Sequence, residues 1–382
     1  MFAILNTEIR MKPIQMVDLA SQYQRLKSEI DPAIAEVLTK ANFINGTQVK
    51  TFANALASYL NVKHVIPCAN GTDALQIAFM ALDLPEGSEI ITPGFSYIAL
   101  AEVCHLLKLK PVFVDVNPQT FNIDTNAIEK YITPNTKVIA TVHLYGQTAD
   151  MEAIMAIAEK HSLYVIEDNA QSIGGEYTFS NGSIFKTGTI GHISTTSFFP
   201  SKNLGCFGDG GAIVTNDDIL AEKIKMIANH GQKVKYIHDI VGVNSRLDTI
   251  QAALLTVKLK YLDSFIEERQ AVAEHYNKAF ENHSHLKTPF VAFNTTHVYH
   301  QYTLQTCNVN IDDFRKVMQE KGIPTMVYYP LPLHQQNAYK QDISLPISEL
   351  LCQNVISLPI GTDMDENQIE YIIQNVLNYF KS

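Results

Sequence analysis

A chain of 382 residues exceeds the size at which one hydrophobic core usually stops growing, so two domains are expected, and 46% hydrophobic with 18% charged residues marks a folded globular protein. The net charge of −10 lacks the basic footprint that nucleic acid or an anionic membrane surface requires. Five scattered cysteines without a CxxC pair signal neither a disulfide framework nor a zinc knuckle; no metal is expected, and a reducing cytoplasm fits.

At the start, Met1 to Lys12 has a short apolar patch and no cationic segment ahead of it, which predicts neither a signal peptide nor an anchor. Met11 offers a second start. No run of about 18 apolar residues follows, so no membrane-spanning helix is expected. From about residue 60 to 230, short apolar runs alternate with helical patterns, as in a largely parallel sheet covered by helices. The predicted strands are His64–Cys68, Glu89–Thr92, Pro111–Val116, Lys137–Leu144, Leu163–Glu167, His192–Phe198 and Gly211–Thr215. Between them, Thr72–Leu82 and Met151–Lys160 have helical periodicity. The stretch from Leu247 to Phe280 is periodic throughout and predicts one long helix joining two domains. Beyond it come a strand (Val298–Thr306), a helix (Asp312–Lys321), a strand (Thr325–Tyr329) and a last helix, capped by Thr362 or Asp363 and running to Tyr379. This pattern predicts a smaller α+β domain.

Lys202 follows an apolar strand in Ser197-Phe198-Phe199-Pro200-Ser201-Lys202, with Gly208-Asp209-Gly210-Gly211 behind it. Partial desolvation there lowers a lysine's pKa, and the neutral amine is the form that attacks aldehydes. By spacing alone, a surface lysine in a loop fits as well. Asp168 and Gln171 end the β-branched strand Val165-Ile166-Glu167-Asp168-Asn169-Ala170-Gln171, at the edge where open α/β sheets bind ligands. A carboxylate buried there needs a cation, such as a protonated pyridine nitrogen, or else it caps the following turn. Asn70-Gly71-Thr72 opens a helix, where free N–H groups favour a phosphate, and Ser197 could add a hydroxyl. Tyr97 could stack on a flat ring or simply pack in the core. The stretch His230 to Arg246 is locally cationic, which suits a diphosphate or a solvated face. His143, His230, His300 and His334 receive no chemical role.

These motifs resemble the DegT/DnrJ/EryC1/StrS sugar aminotransferases over nearly the whole chain. The matching segments are Ile14–Tyr23, Ala69–Leu75, Thr92–Ala99, His143–Gly146, Glu167–Gln171, Thr196–Gly211 and Val241–Ala253. The resemblance implies an aspartate-aminotransferase fold (pyridoxal phosphate fold type I): α/β, with a large domain over 1–258 and a small C-terminal α+β domain over 259–382. It implies pyridoxal 5′-phosphate held by Lys202 as a Schiff base, Asp168 on the pyridine nitrogen, Gln171 on the ring hydroxyl and Tyr97 on the ring face. Gly71, Thr72 and Ser197 would hold the phosphate, completed by Asn244 from a neighbouring subunit in a homodimer with shared active sites. Lysine at 202, where the related dehydratases have histidine, implies transamination. The combined motifs are especially similar to enzymes that transfer the amino group of L-glutamate to C3 of UDP-2-acetamido-2-deoxy-3-oxo-glucuronate in bacterial surface-polysaccharide synthesis. Tyr328-Tyr329-Pro330 likewise resembles relatives acting at C3. Arg246 could grip a substrate carboxylate with two hydrogen bonds or form an interface ion pair. Neutral UDP-3-keto-N-acetylglucosamine and thymidine-linked 6-deoxy sugars are alternative substrates. A non-catalytic cofactor-binding regulator is an alternative from another class; a nicotinamide oxidoreductase is disfavoured because no GxGxxG follows the first strand.

Overall fold

The computed structural model describes residues 12–381; the expectations for residues 1–11 fall outside that range. A seven-stranded sheet forms the larger part. Its strands in chain order are β1 (His64–Cys68), β2 (Glu89–Pro93), β3 (Lys110–Val114), β4 (Thr136–Val142), β5 (Tyr164–Asp168), β6 (Ile193–Ser197) and β7 (Gly211–Thr215). They lie side by side as β1-β7-β6-β5-β4-β2-β3. From β6 to β3 all neighbours are parallel, and β7 runs antiparallel to both β6 and β1. Helices on both faces bury the strands, which is why β2 and β7 read as continuous apolar runs without alternation.

On one face, the helices Gly71–Ala81, Ala99–Leu106 and Asp218–Ala228 supply Leu75, Phe79, Leu100 and Ile224 to a core that includes Ile66, Ile90 and Ile213. Another core gathers the helices Leu19–Lys40, Thr47–Leu60 and Thr249–Leu259 around Phe52, Phe198 and Leu254. No helix among the described residues is long and apolar enough to cross a membrane.

The expected long helix is two, Thr249–Leu259 and Leu262–Phe280. The sequence carries no Pro or Gly at the break. Instead Lys260 and Tyr261 both reach Glu29 of the first helix, the lysine Nζ at 3.0 Å, and Tyr261 leaves helical geometry with ψ near 1°. Distant partners therefore broke a periodicity that is locally unbroken.

The C-terminal sheet has three strands, β8 (Leu286–Lys287), β9 (Tyr302–Thr306) and β10 (Val355–Leu358), paired antiparallel in that order. It packs with the helices Ile311–Glu320 and Glu366–Tyr379 around Tyr302, Phe314, Met318 and Ile372, and Ile14 joins the same cluster. Three expectations need correction here. Thr325–Tyr329 is not a strand: it makes a single bridge, Met326 to Ser357, and then leaves the sheet. The strand expected from Val298 begins at Tyr302, because the N–H groups of Val298 and Gln301 go instead to the carbonyls of Gly146 (2.8 Å) and Tyr145 (3.2 Å). The last helix is capped by Asp365, whose carboxylate accepts from Gln368 N at 2.9 Å while the Gln368 side chain accepts from Asp365 N at 3.2 Å; Thr362 spends its hydroxyl on Asp363.

Candidate active site

The carboxyl ends of β1, β5 and β6 converge on a cleft of about 490 Å³. Lining it are Asn70, Gly71, Thr72, Tyr97, Asp168, Gln171, Ser197 and Lys202, together with His300, Gln301, Tyr328 and Tyr329 from the C-terminal third. A larger concavity of about 640 Å³, between Glu152 and His192, has no lysine in its lining.

The turn after β1 starts the helix Gly71–Ala81. Asn70 caps it by accepting from Asp73 N at 2.8 Å, and among the described residues no acceptor takes the N–H of Gly71 or Thr72. Those two donors and the helix dipole favour an anion. Gly71 is required by proximity: a Cβ there would lie 2.8 Å from the Ser197 Cβ. Helix start and Ser197 therefore share one wall of the cleft.

Asp168 ends β5 and is 8% exposed. Its Oδ1 accepts from Ala170 N at 3.0 Å, and no cationic side chain pairs with it among the described residues. Burial pushes its pKa up, opposed by that N–H and by the Lys202 charge. Lys202 is partly buried in the turn after β6, with its N–H on the Phe199 carbonyl at 2.8 Å. Burial pulls its amine down to about 8, and the Asp168 charge opposes the fall.

Gln171 is held in one orientation. Its Oε1 accepts from Tyr145 N at 2.8 Å, and its Nε2 donates to the Tyr329 hydroxyl at 3.3 Å. Tyr145 aims that N–H from a left-handed backbone, φ 59°, and its own hydroxyl donates to the Tyr328 carbonyl. The amide nitrogen thus faces the cleft. Behind Asp168, Glu167 accepts from His143 Nε2 (2.8 Å) and from the N–H groups of Gly188, Ile190 and Gly191 (3.0, 2.8 and 2.6 Å). Because His143 Nδ1 accepts from Ala149 N at 3.1 Å, Nε2 carries the imidazole hydrogen. His143 therefore has a structural duty next to the buried acid.

The structure does not bring Asn244 and Arg246 into this cleft. Asn244 is exposed on the loop bridged to Asn229, and Arg246 lines a separate depression with Lys50 and Lys225. Of the cleft residues from the C-terminal third, His300 and Gln301 had no role in the sequence, and Tyr328 and Tyr329 only a resemblance to relatives acting at C3.

The residues fit a pyridine-aldehyde phosphate. The cleft combines uncapped helix N–H groups, a buried carboxylate lacking a cation, an oriented amide, an exposed ring on Tyr97 and an amine of lowered pKa.

Residues 24–377 match the model of the DegT/DnrJ/EryC1/StrS aminotransferase family. The chain is 45% identical over 366 residues, 96% of its length and 100% of the relative's, to a UDP-2-acetamido-2-deoxy-3-oxo-D-glucuronate aminotransferase of Pseudomonas aeruginosa. It is also 44% identical over 374 residues, 96% and 99% of the two chains, to a protein of Geobacillus stearothermophilus named a pleiotropic regulatory protein. Among solved structures, DesV of S. venezuelae in complex with a ketimine intermediate superposes with a TM-score of 0.92 at 36% identity, covering 97% of this chain and 100% of that one. With the cleft, the fold and a family match across most of its length in agreement, the chain belongs to the DegT/DnrJ/EryC1/StrS aminotransferase family.

Proposed function

We propose that this protein is a pyridoxal 5′-phosphate-dependent transaminase that carries the amino group of L-glutamate to C3 of a UDP-linked 3-keto sugar. The acceptor we favour is UDP-2-acetamido-2-deoxy-3-oxo-glucuronate, the substrate named for the relative that is 45% identical. The observation that carries the reading is a partly buried lysine of lowered pKa in one cleft with a buried, cation-free aspartate.

In this reading Gly71, Thr72 and Ser197 hold the phosphate, Tyr97 covers the ring, Gln171 donates to the ring oxygen and Asp168 keeps the ring nitrogen protonated. When bound, the cofactor supplies an aldehyde that takes up amines and a cationic ring that draws off electrons. Lys202 is the attachment point, and its Nζ moves the protons. It removes one from the α-carbon of glutamate in the first half-reaction and delivers one to sugar C3 in the second. Asn244 and Arg246 act on the neighbouring subunit's site in a homodimer, which agrees with their absence from the lining of their own chain's cleft. Arg246 there meets the carboxylate of glutamate or of the uronate. We set the domain division at 258/259, next to the helix break at Lys260–Tyr261. A cytoplasmic place in surface-polysaccharide (O-antigen) synthesis follows from the proposed substrate.

The test is to reduce the yellow protein with borohydride, digest it and locate the pyridoxyl mass. It should sit on Lys202, and Lys202→Arg should lose both that mass and all turnover while keeping the fold. Protein incubated with glutamate and a panel of keto-sugars should then yield an amino sugar by mass spectrometry, and the uronate should be the preferred acceptor. If the neutral 3-keto-N-acetylglucosamine nucleotide or a thymidine-linked 6-deoxy sugar turns over faster, the acceptor is wrong and the chemistry stands. A non-catalytic regulator is the second reading, favoured by the name of the Geobacillus relative. Glutamate that leaves the visible band of the yellow protein unchanged would support it.

A further inference from the structure

The helix Thr249–Leu259 passes under the turn that presents Lys202 and carries a second lysine that the proposed chemistry does not use. Lys258 is 2% exposed, and its Nζ donates to the Gly205 carbonyl at 2.6 Å. The same Nζ lies 5.6 Å from the centre of the Phe207 ring. Two helical turns earlier, Gln251 grips the Phe207 backbone from both sides, accepting from its N–H and donating to its carbonyl, each at 2.9 Å. The turn itself is closed and stiff. Lys202 N binds the Phe199 carbonyl, Cys206 N returns to Phe198 O at 2.7 Å, and a Cβ on Gly205 would meet the Pro200 carbonyl oxygen at 2.2 Å. Position 205 therefore packs directly on the Phe199–Pro200 backbone, the same Phe199 that accepts from Lys202 N.

No carboxylate pairs with Lys258 among the described residues. The charged and titratable groups acting on it are the Cys206 thiol on the turn and the Arg269 guanidinium on the next helix, and burial lowers the Lys258 pKa to about 8. A buried amine without a counter-ion is costly; a leucine or methionine of similar volume would avoid that cost but leave the Gly205 carbonyl without its donor. What the amine gains in return is a hold on the turn that carries Lys202. We infer that Lys258, assisted by Gln251, is a positioning residue that fixes the Lys202 turn from below and so sets where the reactive amine points. The inference rests on Lys202 being the nucleophile.

Lys258→Met removes the donor and keeps the volume, Lys258→Gln keeps a shorter donor, and Gln251→Leu removes the second tie. In full-length protein freed of cofactor, the pH profile of Lys202 acetylation, read by peptide mass spectrometry, should shift in Lys258→Met. In the loaded protein, the visible circular dichroism of the bound cofactor should change and kcat should fall about 10- to 100-fold with little change in KM, as for a reacting group displaced by a fraction of an ångström. Lys258→Gln should recover part of each loss. Should Lys258→Met fold with an unaltered acetylation profile, dichroism and kcat, or change in melting temperature alone, the inference is overturned. If that variant does not fold, Gln251→Leu decides by the same readouts, and wild-type values there refute the clamp. Wild-type protein that never links cofactor to Lys202 fails the functional reading instead, a result separable from all of these.

Discussion

Replacing Asp168 with asparagine perturbs both halves of the site at once, and the sign of each effect follows from burial and charge. Burial brings the Lys202 amine to about 8 from the ordinary 10.5, and the Asp168 carboxylate is the charge that opposes this. With a midpoint near 8, roughly 9% of the amine is neutral at pH 7, against roughly 0.03% at the ordinary value. That is about a 300-fold gain in the form that attacks an aldehyde. Asparagine keeps the shape and removes the charge, so the midpoint should fall further, by about one pH unit for a nearby charge in a partly screened site. The same depressed value makes Lys202 a liability for folding below pH 8, because the unfolded chain binds its proton more tightly. This penalty fades as pH rises from 8 to 10.5. Competitive acetylation of cofactor-free protein across pH, read at the peptide holding residue 202, measures the midpoint. Single-turnover mixing of loaded protein with glutamate measures the second effect, which should be about 100-fold slower without the acid on the ring nitrogen. An acetylation midpoint that stays put or rises, or an undiminished glutamate rate, would show that Asp168 does not face both groups.

Gly71→Ala forces a Cβ to within 2.8 Å of the Ser197 Cβ, so the turn must shift where the phosphate is to bind. Affinity for pyridoxal phosphate should drop about 10-fold, or 1.4 kcal/mol, while unphosphorylated pyridoxal is affected little; equal losses for both would remove the phosphate assignment. Glu167→Ala strips four hydrogen bonds from His143, Gly188, Ile190 and Gly191 in a buried site, and denaturant titration should show a loss of about 3–5 kcal/mol. A loss below about 1 kcal/mol would mean that the pair is replaceable. If Arg246 acts across a dimer, mixed dimers of Lys202→Ala with Arg246→Ala subunits should regain activity that neither variant has alone, since one of the two sites then receives both residues. Continued inactivity after confirmed subunit exchange would argue that Arg246 acts within its own chain.

The sheet was legible because both of its faces are covered. Strands such as Glu89–Pro93 and Gly211–Thr215 are buried at every position, so they read as apolar runs bounded by turn residues, and the predicted strands fall within two residues of the observed ones at each end. The C-terminal third was less legible, for a reason visible in single hydrogen bonds. Val298 and Gln301 give their N–H groups to Gly146 and Tyr145, more than a hundred residues away in sequence, and Met326 pairs only with Ser357. These segments have the composition of strands but satisfy their backbones across the fold, which no local period records. The break at Tyr261 has the same origin, because Glu29 lies in the first helix.

The site divides along the same line. Asp168, Ser197 and Gly71 end or directly follow buried strands, so their positions could be read from the runs that precede them. His300 and Gln301 reach the cleft only because the chain abandons β geometry to bind the Tyr145 segment, and that contact also orients Gln171. One short segment, His143–Gly146, thus ties together the acid strand, the oriented amide and the wall supplied by the C-terminal third. Its motif was visible in the sequence while its duty was not, because each of its bonds ends on a residue that only the fold brings near. A change there should therefore alter cofactor geometry and substrate selection together, where a change at Gly71 alters cofactor affinity alone.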